Sequence, residues 1–216
     1  MRGLRQAAVV IGVLVGTAAA QTGTSTDVRD GLIKRIPAGY RLFEEMHGDL
    51  NGDGADDYVL IIKGTDKKNI NGEIDRNRRG VMIFFSKGND YKLVLESRGC
   101  LASENENNSV YISFEIKKGN LYINYEDNAP RYIVRYIYTF RYRNSEFELI
   151  GYDYSDENSE RSINFPAKKM SDRIRNGASG KFKETWTNLA TKEPILLRKI
   201  VKLEDYGYQA LDSYVK

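Results

Sequence analysis

Cysteine is almost missing from this chain: Cys100 is the only one in 216 residues, so no internal disulfide can form. Histidine is equally scarce, and His47 stands alone for every chemistry that needs an imidazole. A zinc site built on several histidines is thereby excluded, and a triad base would have to be this one residue. No glycine-rich phosphate loop is present either. The nearest stretch, Gly177-Ala178-Ser179-Gly180-Lys181-Phe182, has two residues between its glycines instead of four, and Phe182 stands where Ser or Thr should follow the lysine. An excess of charge is lacking too, with 33 basic against 30 acidic residues. Setting aside Arg2 and Arg5 at the extreme N-terminus, the formal net charge of +3 falls to +1, which gives no support to a nucleic-acid or anionic-membrane partner. Beyond the first 20 residues no apolar run approaches the length of a membrane span.

Those first 20 residues read as a leader. Arg2 and Arg5 make a basic start, residues 7–15 an apolar middle, and Ala18-Ala19-Ala20 a small-residue cleavage site before Gln21. The expectation is a signal peptide over 1–20, a flexible mature start over 21–27, and a single β-rich domain over 28–216, periplasmic or secreted.

The most legible chemistry lies at residues 49–57, Asp-Leu-Asn-Gly-Asp-Gly-Ala-Asp-Asp. Oxygen donors at positions 1, 3, 5 and 9 with a backbone carbonyl at 7 can wrap a hard cation, and glycine at 6 permits the sharp turn. This assigns Asp49, Asn51, Asp53, the Ala55 carbonyl and Asp57 as calcium ligands. Turn chemistry alone also gathers Asp, Asn and Gly. Four carboxylates at 49, 53, 56 and 57 exceed what a turn requires, and their repulsion calls for a cation. An EF-hand would place Glu at position 12 and continue as a helix; here position 12 is Leu60 within the β-branched run 58–62.

Elsewhere the pattern is mostly of period two. Val28, Leu32, Ile33 and Ile36 recur at helical spacing before Pro37 and predict a short helix. From Tyr40 onward, strands are predicted at 40–46, 58–63, 81–86, 91–96, 110–116, 121–126, 132–143, 147–154, 162–165, 182–187 and 195–203, separated by Gly, Asn and Asp turns. Residues 154–161 read as polar and mobile, and 205–214 as a terminal helix. The fold class expected is mainly β, with antiparallel hairpins and a meander.

Residues 48–57 followed by an apolar strand resemble the FG-GAP calcium loop of integrin α-type propellers. The motif occurs once, which argues against a complete propeller. Taken in order with Ile36-Pro37-x-Gly39-Tyr40, residues 81–85, 115–121, 138–142, 147–153 and 162–165, it is similar to a group of exported bacterial proteins carrying a single such loop. That resemblance implies the fold and the location and brings no activity with it.

Other candidates are weaker. Arg76, Arg78 and Arg79 concentrate cations before a strand and could contact an anionic ligand, although solvated arginines paired with Glu73 or Asp75 account for the same pattern. Tyr136 and Tyr138 lie on a tyrosine-rich strand face suited either to sugar stacking or to core packing. Glu104, Glu106, Glu126 and Asp127 are the carboxylates a hydrolase would recruit. The function expected is an exported, calcium-stabilised, non-enzymatic domain binding a protein or glycan; the rival is a carboxylate-dependent hydrolase of envelope material.

Overall fold

The structure is a computed structural model that describes residues 25–88, 90–103, 105, 110–129, 132–177, 179–207 and 210–214. The expected signal segment and residues 21–24 lie outside the described residues, as do Glu104 and Glu106. Among the described residues one α-helix, α1 (Ser25–Ile33), precedes thirteen strands: β1 (Tyr40–Gly48), β2 (Asp57–Gly64), β3 (Ile70–Asn71), β4 (Ile74–Asp75), β5 (Arg79–Lys87), β6 (Asp90–Leu101), β7 (Val110–Lys117), β8 (Asn120–Ala129), β9 (Tyr132–Arg143), β10 (Glu146–Ser155), β11 (Ser159–Asn164), β12 (Lys169–Arg175) and β13 (Phe182–Asn188). The chain divides into two compact units, Met1–Lys34 with α1 and Arg35–Lys216 with every strand. Among the described residues no helix is long and apolar enough to cross a membrane.

The fold is mainly β, as the periodicity implies, and every named strand pair is antiparallel. β1-β2-β5-β6 form a four-stranded sheet, β13 to β7 a seven-stranded meander in unbroken order, and β3-β4 a small ribbon. β2 is central and buried on both faces, which explains its continuous apolar run instead of an alternating one. Its Val59 and Ile61 join Val81, Ile83 and Leu95 in one core with Leu121, Ile123, Phe140 and Tyr152 of the larger sheet. Phe85 closes the contact, its ring lying 4.6 Å from Tyr142 edge-on.

Four expectations need correction. The helix starts at Ser25, so residues 25–27 are helical instead of flexible, with Asp27 in the first turn where its charge complements the helix dipole. Residues 195–203 are not a strand: Leu197–Lys199 is a 3₁₀ turn, and Glu148↔Leu196 is an isolated bridge. β10 pairs with β11 only from Gly151 onward, leaving a short uncovered edge where Leu149 N–H reaches the Ile195 carbonyl at 2.9 Å. The mobile-looking stretch is a β10–β11 turn, because Asp156 accepts hydrogen bonds from the Asn158 and Ser159 N–H groups, each at 2.7 Å. The terminal helix is replaced by two 3₁₀ turns, Leu203–Tyr206 and Ala210–Tyr214, that tuck Leu203 and Leu211 into the core.

Candidate functional site

The acidic turn connects β1 to β2, and its side chains organise it from within. Asp49 accepts from Gly52 N–H at 2.6 Å and Gly54 N–H at 3.0 Å. Asn51 Oδ1 accepts from Asp53 N–H, and Asp53 Oδ1 from Ala55 N–H, both at 2.8 Å. The chain can follow this tight path because Gly52 and Gly54 take φ of 81° and 85°, the left-handed region. The N–H groups of Gly54 and then Gly52 hold the Asp49 carboxyl below the usual carboxylate range.

The last two acids part company. Asp56 is exposed and pairs with His47 Nδ1 at 2.8 Å. Asp57 turns inward and is fully buried; its Oδ2 accepts from Leu50 N–H at 2.9 Å and its Oδ1 from Ser86 N–H at 3.0 Å. That carboxylate ties the turn to β5. Burial pushes its pKa up, the two N–H groups offset part of this, and the charges of Asp53 and Asp49 push it further up. The turn also leans on the larger sheet: a side chain at Gly48 would press within 2.8 Å of Ile116 of β7.

The donor set of Asp49, Asn51, Asp53, Asp57 and the Ala55 carbonyl is all oxygen, the chemistry a hard cation takes. Each carboxylate oxygen that accepts one N–H keeps a second lone pair. Among the described residues no three His, Cys, Asp or Glu side chains converge as a metal group. The donors are spaced around the turn by their backbone hydrogen bonds.

The three arginines have separate fates. Arg79 is buried, its guanidinium 4.9 Å from the Phe43 ring and its Nε 2.8 Å from the Ala102 carbonyl. Arg78 pairs with Glu204 at 2.7 Å and with the Gly99 carbonyl at 2.6 Å. Arg76 is exposed at the rim of a shallow 510 Å³ depression that includes Tyr40 and Asn77. Tyr138 is a core residue, edge-on to Tyr125 at 5.8 Å, while Tyr136 is half-buried against Tyr154 at 5.4 Å. Glu126 pairs with Arg135 at 3.0 Å across β8 and β9. Trp186, 67 % exposed, sits on the edge strand β13 opposite Ser171.

Cys100 is buried, and that burial pushes its thiol up to about 11. At pH 8 the folded protein is expected to react with iodoacetamide at least about a hundredfold more slowly than the unfolded chain, since the thiolate is the nucleophile. Quantitative labelling before unfolding, read by intact mass, would contradict this.

Two further concavities escaped sequence reasoning because distant segments assemble them. One of 450 Å³ lies around Asp153, Ser162 and Arg173, and one of 260 Å³ lies around Leu149, Lys168 and Leu189. The chain matches no protein-family model and no curated protein.

Proposed function

We propose that this protein is an exported, calcium-stabilised binding domain without a catalytic role, in which the 49–57 turn is the calcium site. The observation that carries the reading is Asp57. It is a fully buried carboxylate whose charge is disfavoured by Asp53 and Asp49, and none of the three has a lysine or arginine partner among the described residues. A bound cation would supply the compensating positive charge that no described lysine or arginine provides. Asp49, Asn51, Asp53, Asp57 and the carbonyl of Ala55 would hold the ion. Bound calcium would neutralise the crowded carboxylates and so favour the closed turn. Export rests on the leader-like residues 1–20.

A carboxylate hydrolase finds less support. Asp153 lines a concavity, yet it is exposed and accepts from Ser162 Oγ at 2.6 Å, and the neighbouring Glu160 is committed to Arg173. No free facing carboxylate completes a pair there among the described residues.

The test is a calcium titration followed by calorimetry and thermal melting. Extracellular calcium modules work at roughly 10⁻⁴ to 10⁻³ M. Calcium at about 100 times its dissociation constant would stabilise the native state by about 2.7 kcal/mol, a rise of several degrees that chelator reverses. Absence of both binding heat and a melting shift up to about 10 mM calcium overturns the assignment.

A further inference from the structure

The 260 Å³ cavity is formed where the β11–β12 turn meets the segment leading away from β13. Its floor is apolar: Leu149, Leu189 and Ile195 are almost wholly buried. Phe165 and Tyr214 wall it, with ring centroids 5.5 Å apart and edge-on. The polar groups that line it are dominated by cations, Arg143, Lys168 and Lys192, against the single acid Glu193.

These cations differ in how they are used. Arg143 is paired with the buried Glu148. Lys168 Nζ donates to Thr191 Oγ1 at 2.8 Å and Lys192 Nζ to Ser213 Oγ at 3.2 Å, so hydroxyls are the partners of both ammonium groups. Lys192 also lies 4.6 Å from the centroid of the Tyr214 ring. Among the described residues no carboxylate pairs with either ammonium group, and both line the cavity together with Glu193.

Lys168 carries the second observation. Residues 165–168 form the β11–β12 turn, closed by the Lys168 N–H to the Phe165 carbonyl at 3.0 Å, and Lys168 itself has φ of 52°. A left-handed residue ending such a turn is the place for glycine, which adopts it without strain. Like Lys118 in the β7–β8 turn, at φ of 51°, Lys168 is held in a conformation that costs more than it would for glycine. Its carbonyl also accepts from Leu189 N–H at 2.9 Å, so the strained residue is tied to the cavity floor.

We propose that this cavity binds a small amphiphilic carboxylate, with the carboxylate between Lys168 and Lys192 and an apolar body on Leu149, Leu189 and Ile195. The inference deepens the reading of the domain as a binder, since it names a ligand class and implies that the ligand leaves unchanged. A fatty-acid chain and the C-terminal residues of an apolar peptide share this chemistry.

Isothermal titration with octanoate and, separately, with acetyl-Leu-Leu bearing a free carboxylate tests it, with octanol and the peptide amide as uncharged counterparts. For ligands of about ten to twenty non-hydrogen atoms the dissociation constant expected is on the order of 10⁻⁴ M for whichever carboxylate matches the natural source. The uncharged counterparts should bind at least about tenfold more weakly, as loss of a charge-assisted contact requires. Lys168→Gly should raise the melting temperature by relieving the strained backbone while weakening binding at least about tenfold. A purely structural lysine cannot yield that opposed pair of results. Should the glycine variant fail to fold, Lys192→Gln provides the same binding test. No saturable binding of either carboxylate, equal binding of the uncharged forms, or unchanged affinity in the variant overturns the proposal. Recovery of chemically altered ligand overturns the binder reading. Calcium-dependent melting, read in the same samples, bears on the 49–57 turn alone.

Discussion

Gly80→Ala is expected to destabilise the protein by about 3 kcal/mol or more, the upper end of what overpacking costs. A Cβ at Gly80 would lie 2.4 Å from the Ser97 carbonyl oxygen, 3.0 Å from the Arg98 Cα and 3.2 Å from the Gly99 nitrogen. All three atoms are backbone of β6, so no rotamer change can relieve the contact. The close approach arises at a bulge, where the β5–β6 register shifts between Arg79 and Val81. Displacing β6 there would also disturb Cys100 and Leu101, both in the shared core. Gly177→Ala is the control: nothing lies within 4 Å and its φ is not in the left-handed region, so its effect should stay within about 1 kcal/mol. Urea unfolding of the two variants measures the difference, and a loss below about 1 kcal/mol at Gly80 would mean that the bulge relaxes freely.

Asp57→Ala is expected to cost about 2 to 5 kcal/mol even in calcium-free buffer. It strips the acceptor from two N–H groups, Leu50 and Ser86, and each donor left buried without a partner costs about 1 to 3 kcal/mol. The neighbouring Asp56→Ala should change stability by no more than about 0.5 kcal/mol, because the His47–Asp56 pair is largely exposed. Asp53→Ala separates the two roles of the turn. Its hydrogen bond to Ala55 N–H is exposed, so calcium-free stability should be nearly kept while the calcium response disappears. If Asp56 and Asp57 variants lose equal stability in chelator, the buried bridge to β5 does not hold the fold.

The pairing of β7 with β8 and of β9 with β10 was legible because each strand pair is local, with alternating side chains and a turn whose residues accept positive φ: Lys118-Gly119 and Asn144-Ser145. β12 was missed. Its Lys-Met-Ser-Asp-Arg-Ile-Arg is mostly polar, and only Met170 and Ser171 are buried, so the apolar signal that marks a strand is nearly absent. The arginines at 76, 78 and 79 look alike in sequence, yet Arg78 pairs with Glu204 and Arg79 with Ala102 and Phe43, all from distant positions, while Arg76 is exposed. Arg161 likewise falls in the polar stretch and is buried between Asp172 and Asp212, the second of them 51 residues away.

From sequence alone came the mainly β class, the hairpin order and the acidic turn with its oxygen donors, since periodicity, turn preference and ligand spacing act over a few neighbouring residues. Which of two adjacent aspartates would be buried, which arginine would enter the core, and that Lys168 and Lys192 would line one cavity with Leu149, Leu189 and Ile195 were decided only by the tertiary structure. Those outcomes depend on which surfaces the two sheets and the final 3₁₀ turns bring together. Burial and charge pairing are properties of that assembly, and no local stretch of chain carries them.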